Sequence, residues 1–336
     1  MQSDLTTEIS SELPSAGGAP AAPFMVRRSP RVSLPNWLRL FLSNRKAALG
    51  LAILVFFVLV AIVGPLIWRG DPTAADYTIQ PQQPPSATHW LGTDQQSHDI
   101  FLEMVDGTRP ALILGFSIGT LATAIAVLIG MGAGYAGGWI DEVLMFFTNV
   151  VLVTPSLPLI IALASFVQVK NDIPIVLIIS LTGWAWGARV LRSQTLAMRK
   201  KDFIQAAVVR GEPGWRIVLH DILPNMTSLV MSGFIGTTIF AIGSAAGLVF
   251  LGYGNLAETS WFTILYWAQN SNAVQDGAWW LFLPPGLAIG LVGVACALIN
   301  YGIDEVSNPR LRVDKVKAVR RTLSPPPPDA AKGAAS

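Results

Sequence analysis

The sequence is poor in charge and in cysteine. Of its 336 residues only 13% are Asp, Glu, Lys or Arg, and 52% are hydrophobic, whereas a soluble domain carries about 25% charged residues. The mean hydropathy of +0.50 agrees with this. The single cysteine, Cys296, excludes a framework of intramolecular disulfides. The composition therefore excludes an ordinary soluble domain and indicates a membrane protein.

Sequence patterns for nucleotide and zinc chemistry are also missing. The chain has no G-x-x-x-x-G-K-[ST] loop for nucleotide phosphates and no H-E-x-x-H zinc motif. Its 3 histidines, His89, His98 and His220, lie too far apart in the sequence for a ready zinc site. We expect His98 and Asp99 to form a solvated pair. The sequence thus predicts a non-catalytic chain with no cofactor and no metal ion of its own.

Long runs without charged residues predict the fold. Five such runs exceed the roughly 20 residues that a spanning helix needs. A sixth reaches this length if Arg189 and Arg192 extend to the membrane interface. We therefore predict an all-α integral membrane protein with six transmembrane helices. The predicted spans are about 47–68, 110–138, 143–169, 173–192, 224–254 and 277–303.

The positions of Lys and Arg predict the orientation of the chain. With a cytoplasmic amino terminus, 20 of the 23 basic residues fall before the first span, in the loop 189–221 and after the last span. The positive-inside rule then places both termini in the cytoplasm, at a bacterial cytoplasmic membrane. We expect the basic clusters to face membrane lipid and not nucleic acid. Residues 1–36 and 314–336 are predicted to be disordered cytoplasmic tails around a membrane domain at 37–313.

The segment 205–224 lies between two apolar runs and has a helical pattern. Ala206 and Ala207 leave the backbone accessible, Gly211 permits a sharp turn, and Pro213 is suited to start a second short helix. Steps of three and four residues predict an apolar stripe on that helix. Its members are Trp215, Val218, Leu219 and Ile222. The stripe needs a partner, which is either a groove on another protein or the chain's own helical bundle.

The order of two small residues, a glycine and a Leu-Pro pair resembles the EAA loop of ABC importer permeases, with Gln205 in place of the family's usual Glu. The resemblance implies a type I ABC importer permease fold with a cytoplasmic coupling helix. It assigns ATPase coupling to Gln205, Ala206, Ala207, Gly211, Trp215, Leu223 and Pro224. ATP and Mg²⁺ are then expected on partner ATPase subunits. We expect a charged residue at Gly211 or Ala207 to uncouple transport and to leave folding nearly intact.

The loop between the first two spans carries a more specific signal. Residues 91–94 read Leu-Gly-Thr-Asp, and Asp99, Gly107 and Arg109 follow. This pattern resembles the dipeptide, oligopeptide and nickel group of these permeases, and within it the second, C-type subunit of the permease pair. The chain departs from the group at 97–99, where Ser97 and His98 replace a usual Gly and Arg. The third span also lacks the Arg and Asp that many members have there.

The resemblance implies a permease subunit of a multi-subunit importer for dipeptides or oligopeptides. Its implied partners are a homologous permease, two cytoplasmic ATPase subunits or domains, and an extracytoplasmic substrate-binding protein. Acids and aromatics in the outer loops predict the docking residues for that protein. These residues are Gly92, Thr93, Asp94, Asp99, Trp261 and Trp267. Neutral polar groups in the spans predict the translocation path. They are Ser117, Thr120, Asn149, Thr154, Ser156 and Thr182.

Three alternatives stay open. The cargo of the same class of importer could be an oligosaccharide, glutathione or a nickel chelate. Trp261 and Trp267 could be interfacial belt residues instead of docking residues. A stand-alone secondary transporter or channel is a different class, although the sequence shows no internal repeat of the kind that many secondary transporters have. Copurification of a Walker-motif ATPase would discriminate between this last class and an ABC permease.

Overall fold

The computed structural model describes residues 44–76, 78, 80–167 and 171–307. The two predicted tails lie outside these residues. The described part of the chain is helical, and its only β pairing is an isolated bridge between Thr93 and Asp99. The α-helices in chain order are α1 Arg45–Ile67, α2 Ile100–Ala136, α3 Gly138–Val153, α4 Ser156–Ser165, α5 Ile173–Gly183, α6 Ala185–Arg199, α7 Asp202–Val209, α8 Gly214–Arg216, α9 Leu223–Asn225, α10 Thr227–Phe250, α11 Trp261–Asn270 and α12 Leu283–Ser307.

Two short segments complete the described structure. A π-helical segment, Ile217–Ile222, joins α8 to α9, and a 3₁₀ turn, Trp279–Leu281, precedes α12. Within the described residues, four helical segments are long and apolar enough to cross a membrane, namely α1, α2, α10 and the segment Trp279–Glu305. Two bent pairs, α3 with α4 and α5 with α6, raise the number to six if each pair crosses once. Six spans are therefore plausible, as the sequence predicts.

Pro155 divides the third predicted span. The axes of α3 and α4 differ by 91°, and Thr154 between them has extended backbone angles, φ −72° and ψ 128°. Proline disfavours helical geometry at the residue before it and has no N–H to donate to the preceding turn. The run 143–169 consequently forms two helices at a right angle and not one straight span. α5 and α6 bend by a smaller angle, 43°.

α2 is the longest helix of the described residues. Its 37 residues extend for about 55 Å. The helix begins well before the predicted residue 110, because Asp99 caps it by accepting hydrogen bonds from the backbone N–H groups of Phe101 and Leu102. Small residues let α6 lie against its carboxyl-terminal half: a Cβ on Gly134 would lie 2.8 Å from the carbonyl oxygen of Arg192.

Three apolar clusters follow one another along α2. Ile100 joins the first with Ile264 and Trp280; Ile118 belongs to the middle one; and Met131 belongs to the last. Two regions outside the long helices therefore lie at opposite ends of α2. We call the described residues of 69–99 and 251–282 the cap, which packs at the start of α2. We call residues 202–225 the hairpin, which packs near its end.

Candidate functional site

The hairpin turns at Gly211. α7 ends at Val209, and the N–H of Gly211 donates to the carbonyl oxygen of Val208 at 2.9 Å. Gly211 has φ +78°, in the left-handed region that only glycine adopts at little cost. A Cβ at this position would meet no atom within 4 Å. The predicted sharp turn is confirmed, and a substitution here would strain the backbone without a steric clash inside the chain.

The hairpin has a small apolar interior and an apolar outer surface. Ile204, Ala207, Ile217 and Ile222 are fully buried within the cluster at the end of α2. Val209 is 87% exposed and Trp215 is 64% exposed. The other large apolar residues exposed on the hairpin are Phe203, Val208 and Leu219.

The predicted stripe does not form one face of the hairpin, because its members Val218 and Ile222 pack in the buried cluster and its other two members do not. Trp215 and Leu219 point outward, whereas Ile217 and Ile222 are buried. The two buried residues are five positions apart because the segment between them is π-helical, with hydrogen bonds from residue i to i+5. A period of 3.6 residues does not describe this turn.

The residues assigned to coupling fall into two groups. Ala207 is buried inside the hairpin, so we now expect a charge at Ala207 to destabilise the fold instead of leaving it nearly intact. Leu223 is half-buried and packs against the same cluster. Ala206 is exposed, and Gln205 is exposed with its side-chain amide donating to the carbonyl oxygen of Arg199 at 2.8 Å. Among the others, Gly211, Trp215 and Pro224 are exposed.

Polar contacts connect the hairpin end of α6 with α2 and α3. The guanidinium of Arg199 lies 5.8 Å from the ring centroid of Tyr135. Arg192 donates two hydrogen bonds to the carboxylate of Asp141, each 2.5 Å long. This pair is not among the residues predicted from the sequence. Both residues lie at the ends of apolar runs, and a search for opposite charges at such ends would have found them.

A cavity of 670 Å³ opens between α2, α6, α10 and the bend of α3 and α4. Of the predicted path residues, Thr154, Ser156 and Thr182 line it. Ser117 and Thr120 do not, and the hydroxyl of Thr120 donates to the carbonyl oxygen of its own helix at Phe116. Further polar residues at the wall are Thr123, Ser232, Thr237 and Asn300. No charged residue of the described chain lines the cavity.

Asn149 also lies outside the cavity wall. Its side-chain oxygen accepts a hydrogen bond from Arg189 at 2.6 Å, and both residues are exposed. The pair joins α3 to α6. The structure thus brings together three of the six predicted path residues and gives Asn149 a different local role.

The Gly-Thr-Asp motif is internal to the cap. Gly92, Thr93 and Asp94 are buried. The hydroxyl oxygen of Thr93 accepts from the N–H of Gln83 at 3.0 Å, and its carbonyl oxygen accepts from the indole N–H of Trp280 at 3.2 Å. The motif therefore holds the cap together, and it does not offer the exposed side chains that the docking prediction requires.

The two tryptophans of the docking prediction differ. Trp261 is 1% exposed, and its indole N–H donates to the carbonyl oxygen of Met104 at 3.1 Å. Its ring packs edge-on against Phe57, with 5.2 Å between centroids. Trp261 is a core residue, and the prediction of direct docking through it is wrong. Trp267 is 43% exposed and can contact a partner.

The histidines of the cap have partners other than those expected. Asp99 accepts from His89 Nδ1 at 2.9 Å. His98 lies 3.1 Å from Asp94 Oδ2 and 3.7 Å from Glu103 Oε1, so the expected His98–Asp99 pair is wrong. The Glu103 carboxylate raises the pKa of His98, and Asp94 adds to the rise against the opposite effect of burial. Burial raises the pKa of Asp94, although the backbone N–H of His98 donates to it.

Comparison with known proteins identifies the family. Residues 126–313 match the family described as the binding-protein-dependent transport system inner membrane component. Residues 36–85 match the N-terminal TM domain of oligopeptide transport permease C. The chain belongs to this family of transport permeases.

Named relatives agree with this assignment. The dipeptide transport system permease protein DppC of Alkalihalophilus pseudofirmus is 33% identical over 274 residues, 80% of this chain and 88% of the relative. The oligopeptide transport system permease protein OppC of Bacillus subtilis is 31% identical over 81% of this chain and 88% of its own length. OppC of Mycobacterium bovis is 29% identical over 82% of this chain and 94% of its own length.

The chain is thus a multi-pass permease subunit of an ABC importer, as the sequence predicts. Such a permease works with ATPase and substrate-binding partners. In this permease Gly115, Ser117 and Gly119 have the G-x-S-x-G spacing of a hydrolase nucleophile elbow. All three lie within α2, whereas an elbow requires a sharp turn between a strand and a helix. The pattern therefore gives no support to a hydrolase.

Proposed function

We propose that this permease forms, with a homologous permease, the path by which an importer moves dipeptides or oligopeptides across a bacterial cytoplasmic membrane. Two ATPase subunits or domains bind ATP and Mg²⁺ and act on the hairpin, while this chain remains non-catalytic and holds no cofactor. Both termini and the hairpin lie in the cytoplasm. A substrate-binding protein meets the cap from the other side.

The exposed apolar surface of the hairpin carries this proposal. Val209, Trp215 and Leu219 lie outside every candidate span, so lipid tails do not account for their exposure. Large apolar and aromatic side chains that stay exposed on a well-packed element are typical anchors for another protein. The buried isoleucines beneath them hold this surface in one shape. A force applied there reaches α2 through Tyr135, which lies against Gly214, and α6 through the hydrogen bond from Gln205 to the carbonyl oxygen of Arg199.

The neutral cavity supports a path for peptides. A wall of hydroxyl, amide and apolar groups does not select one charge pattern, so cargoes that share a backbone and differ in side chains can pass. Gly233 and Gly236 on α10 line the cavity, and a Cβ at either would meet nothing within 4 Å. We assign this open side to the homologous permease, because small residues allow a helix of the partner to approach closely. Relatives named for dipeptide and oligopeptide transport support the same cargo.

The test compares one substitution at the two ends of α2. Val209→Asp places a carboxylate on the hairpin surface, and Val274→Asp makes the same change at a 70% exposed position of the cap. The assembly is purified through this chain and reconstituted in liposomes with a labelled oligopeptide and its binding protein. We expect Val209→Asp to lower ATPase retention at least about tenfold and to abolish uptake, since a hot-spot residue contributes about 2 kcal/mol or more. Val274→Asp keeps the ATPase bound.

Two results would contradict the proposal. Normal ATPase retention and uptake in the Val209→Asp variant would remove the coupling role of the hairpin. Uptake by this chain alone, without a copurifying ATPase, would instead establish a stand-alone transporter.

A further inference from the structure

Three side chains with metal-binding atoms converge where the cap meets α2. Asp94 and His98 belong to the cap, and Glu103 lies in the first turn of α2. One carboxylate oxygen of each acid and one ring nitrogen of His98 all lie within 4.8 Å of one another. His98 Nδ1 is 3.1 Å from Asp94 Oδ2 and 3.7 Å from Glu103 Oε1. The imidazole therefore faces both carboxylates at once.

The charge of this group is not balanced by the protein around it. The side chains of Asp94 and Glu103 are only 10% and 12% exposed. Within the described residues no Lys or Arg lies at ion-pair distance from either carboxylate, and His98 is their shared basic neighbour. With both carboxylates ionised, even a protonated imidazole would leave one negative charge. Buried carboxylates are stabilised by a cation or by a proton, so the group favours binding of a positive ion.

A cavity gives such an ion access. Its volume is 200 Å³, and Asp94, His98 and Glu103 form part of its wall together with Gln95 and Glu258. No Lys or Arg of the described chain lines it. Exposed Glu258 adds a further negative charge, and the space admits water molecules that can complete a coordination shell.

We propose that Asp94 Oδ2, His98 Nδ1 and Glu103 Oε1 bind a divalent transition-metal ion, with Zn²⁺ the best chemical match. Three protein ligands and one water form a common tetrahedral Zn²⁺ site. With bonds of about 2.0–2.1 Å, tetrahedral ligand atoms lie about 3.3 Å apart, close to the two distances around the imidazole. Ca²⁺ and Mg²⁺ prefer oxygen ligands throughout, so the imidazole nitrogen disfavours them. The metal ion takes the place of the proton between His98 and Asp94.

The proposed ion would fasten the cap to α2. Asp94 and His98 lie in the turn that precedes the helix, and Glu103 is fixed on the helix itself. Exposed Trp267 lines the same cavity, so the ion would also stabilise the surface around this tryptophan. This site does not depend on the transport proposal, because metal binding can be measured without uptake.

The test measures metal content and affinity directly. The full chain is purified through a tag without histidine, in the assembly with which it copurifies, stripped with a chelator and titrated with Zn²⁺ against a chromophoric competitor. Wild type is compared with His98→Gln and Glu103→Gln, which remove one ligand each. We expect the wild type to bind about one Zn²⁺ more per chain than either variant, or to bind it at least about tenfold more tightly. Zn²⁺ should raise the Tm of the wild type and not that of His98→Gln.

Two matched controls separate ligation from general effects. His220→Gln removes an exposed histidine of the hairpin, and Glu258→Gln removes a carboxylate from the same cavity without removing a proposed ligand. Both controls should keep the wild-type affinity within about threefold, well below the effect of losing a ligand. Equal Zn²⁺ uptake by the wild type, His98→Gln and Glu103→Gln, or an equal loss in Glu258→Gln, would overturn the site.

Discussion

The cap and the hairpin lie at opposite ends of the same helix and are stabilised in different ways. In the cap, buried polar residues such as Thr93, Asp94 and Ser260 make the internal contacts through hydrogen bonds. In the hairpin, buried isoleucines around Ala207 make them through apolar packing. The cap therefore depends on the geometry of individual hydrogen bonds, whereas the hairpin depends on volume and on the exclusion of charge.

In both regions, the buried residues that support a surface differ from the exposed residues that a partner can contact. The motif residues Thr93 in the cap and Ala207 in the hairpin are both fully buried. The side chains left for partners are larger ones nearby, Trp267 in the cap and Val209 or Trp215 in the hairpin. A motif residue can thus mark a binding region without touching the partner.

The largest expected effect distinguishes the two tryptophans of the cap. Trp261→Ala should lower the free energy of unfolding by about 3–5 kcal/mol, because it removes a buried aromatic side chain from the middle of the bundle. It also leaves the carbonyl oxygen of Met104 without the indole donor. Trp267→Ala, at an exposed position, should change stability by about 0.5 kcal/mol or less. Thermal unfolding of both variants, followed by tryptophan fluorescence in detergent, measures the difference.

The two tryptophans should also differ in their effect on binding of the substrate-binding protein. Trp267→Ala should weaken binding of the substrate-binding protein while the assembly stays intact. Equal stability of the two variants would show that Trp261 is not a core residue. Unchanged binding in Trp267→Ala would show that Trp267, the exposed one of the two predicted docking tryptophans, does not contact the binding protein.

A smaller effect is expected in the hairpin, where two adjacent alanines have opposite environments. Ala207→Asp should lower the free energy of unfolding by about 2–3 kcal/mol, because a polar, larger side chain enters a fully packed interior. Ala206→Asp is exposed and should change it by about 0.5 kcal/mol or less. Thermal unfolding and size-exclusion profiles of the two variants measure the contrast. Similar profiles for both would mean that the apolar interior of the hairpin tolerates charge.

Apolar runs predicted most of the fold, but local backbone geometry did not follow from them. Runs without charge indicated the spans because lipid excludes charged side chains. The right-angle bend at Pro155 was missed, although proline after Thr154 was a readable signal. The burial of Ile217 beside the stripe member Ile222 was not predictable from a 3.6-residue period, since a π-helical turn changes the spacing to five.

The sequence predicted the location of the candidate site more accurately than the environment of its individual residues. The small residues and the turn at Gly211 located the hairpin, and Thr154, Ser156 and Thr182 do line the cavity. Burial of Trp261 could not be predicted, because its partners Phe57 and Met104 are distant in sequence. The contact of His98 with Glu103 was not predicted, because it depends on a helix that begins at residue 100. The apolar run used to predict this helix begins only at residue 110.

The smallest expected effect concerns the backbone of the cap at Ser97. This serine has φ +60°, where a side chain other than that of Gly, Asn or Asp costs about 1–2 kcal/mol. Glycine relieves that strain but makes the unfolded chain more flexible, which costs roughly 0.5–1 kcal/mol. We therefore expect Ser97→Gly to raise the free energy of unfolding by about 0.5 kcal/mol, a shift that differential scanning fluorimetry on matched samples can resolve.

The reverse change in a neighbouring turn of the cap is the matched control for Ser97→Gly. Gly92 has φ +75°, and a Cβ there would lie 2.5 Å from the carbonyl oxygen of Gln83. Gly92→Ser should therefore lower stability by more than Ser97→Gly raises it, since strain and a clash with backbone act together. If Ser97→Gly is destabilising instead, the buried serine side chain contributes more through packing than its backbone loses through strain. The cap would then depend on apolar-like packing, as the hairpin does, and the contrast between the two ends of α2 would be smaller than their hydrogen bonds indicate.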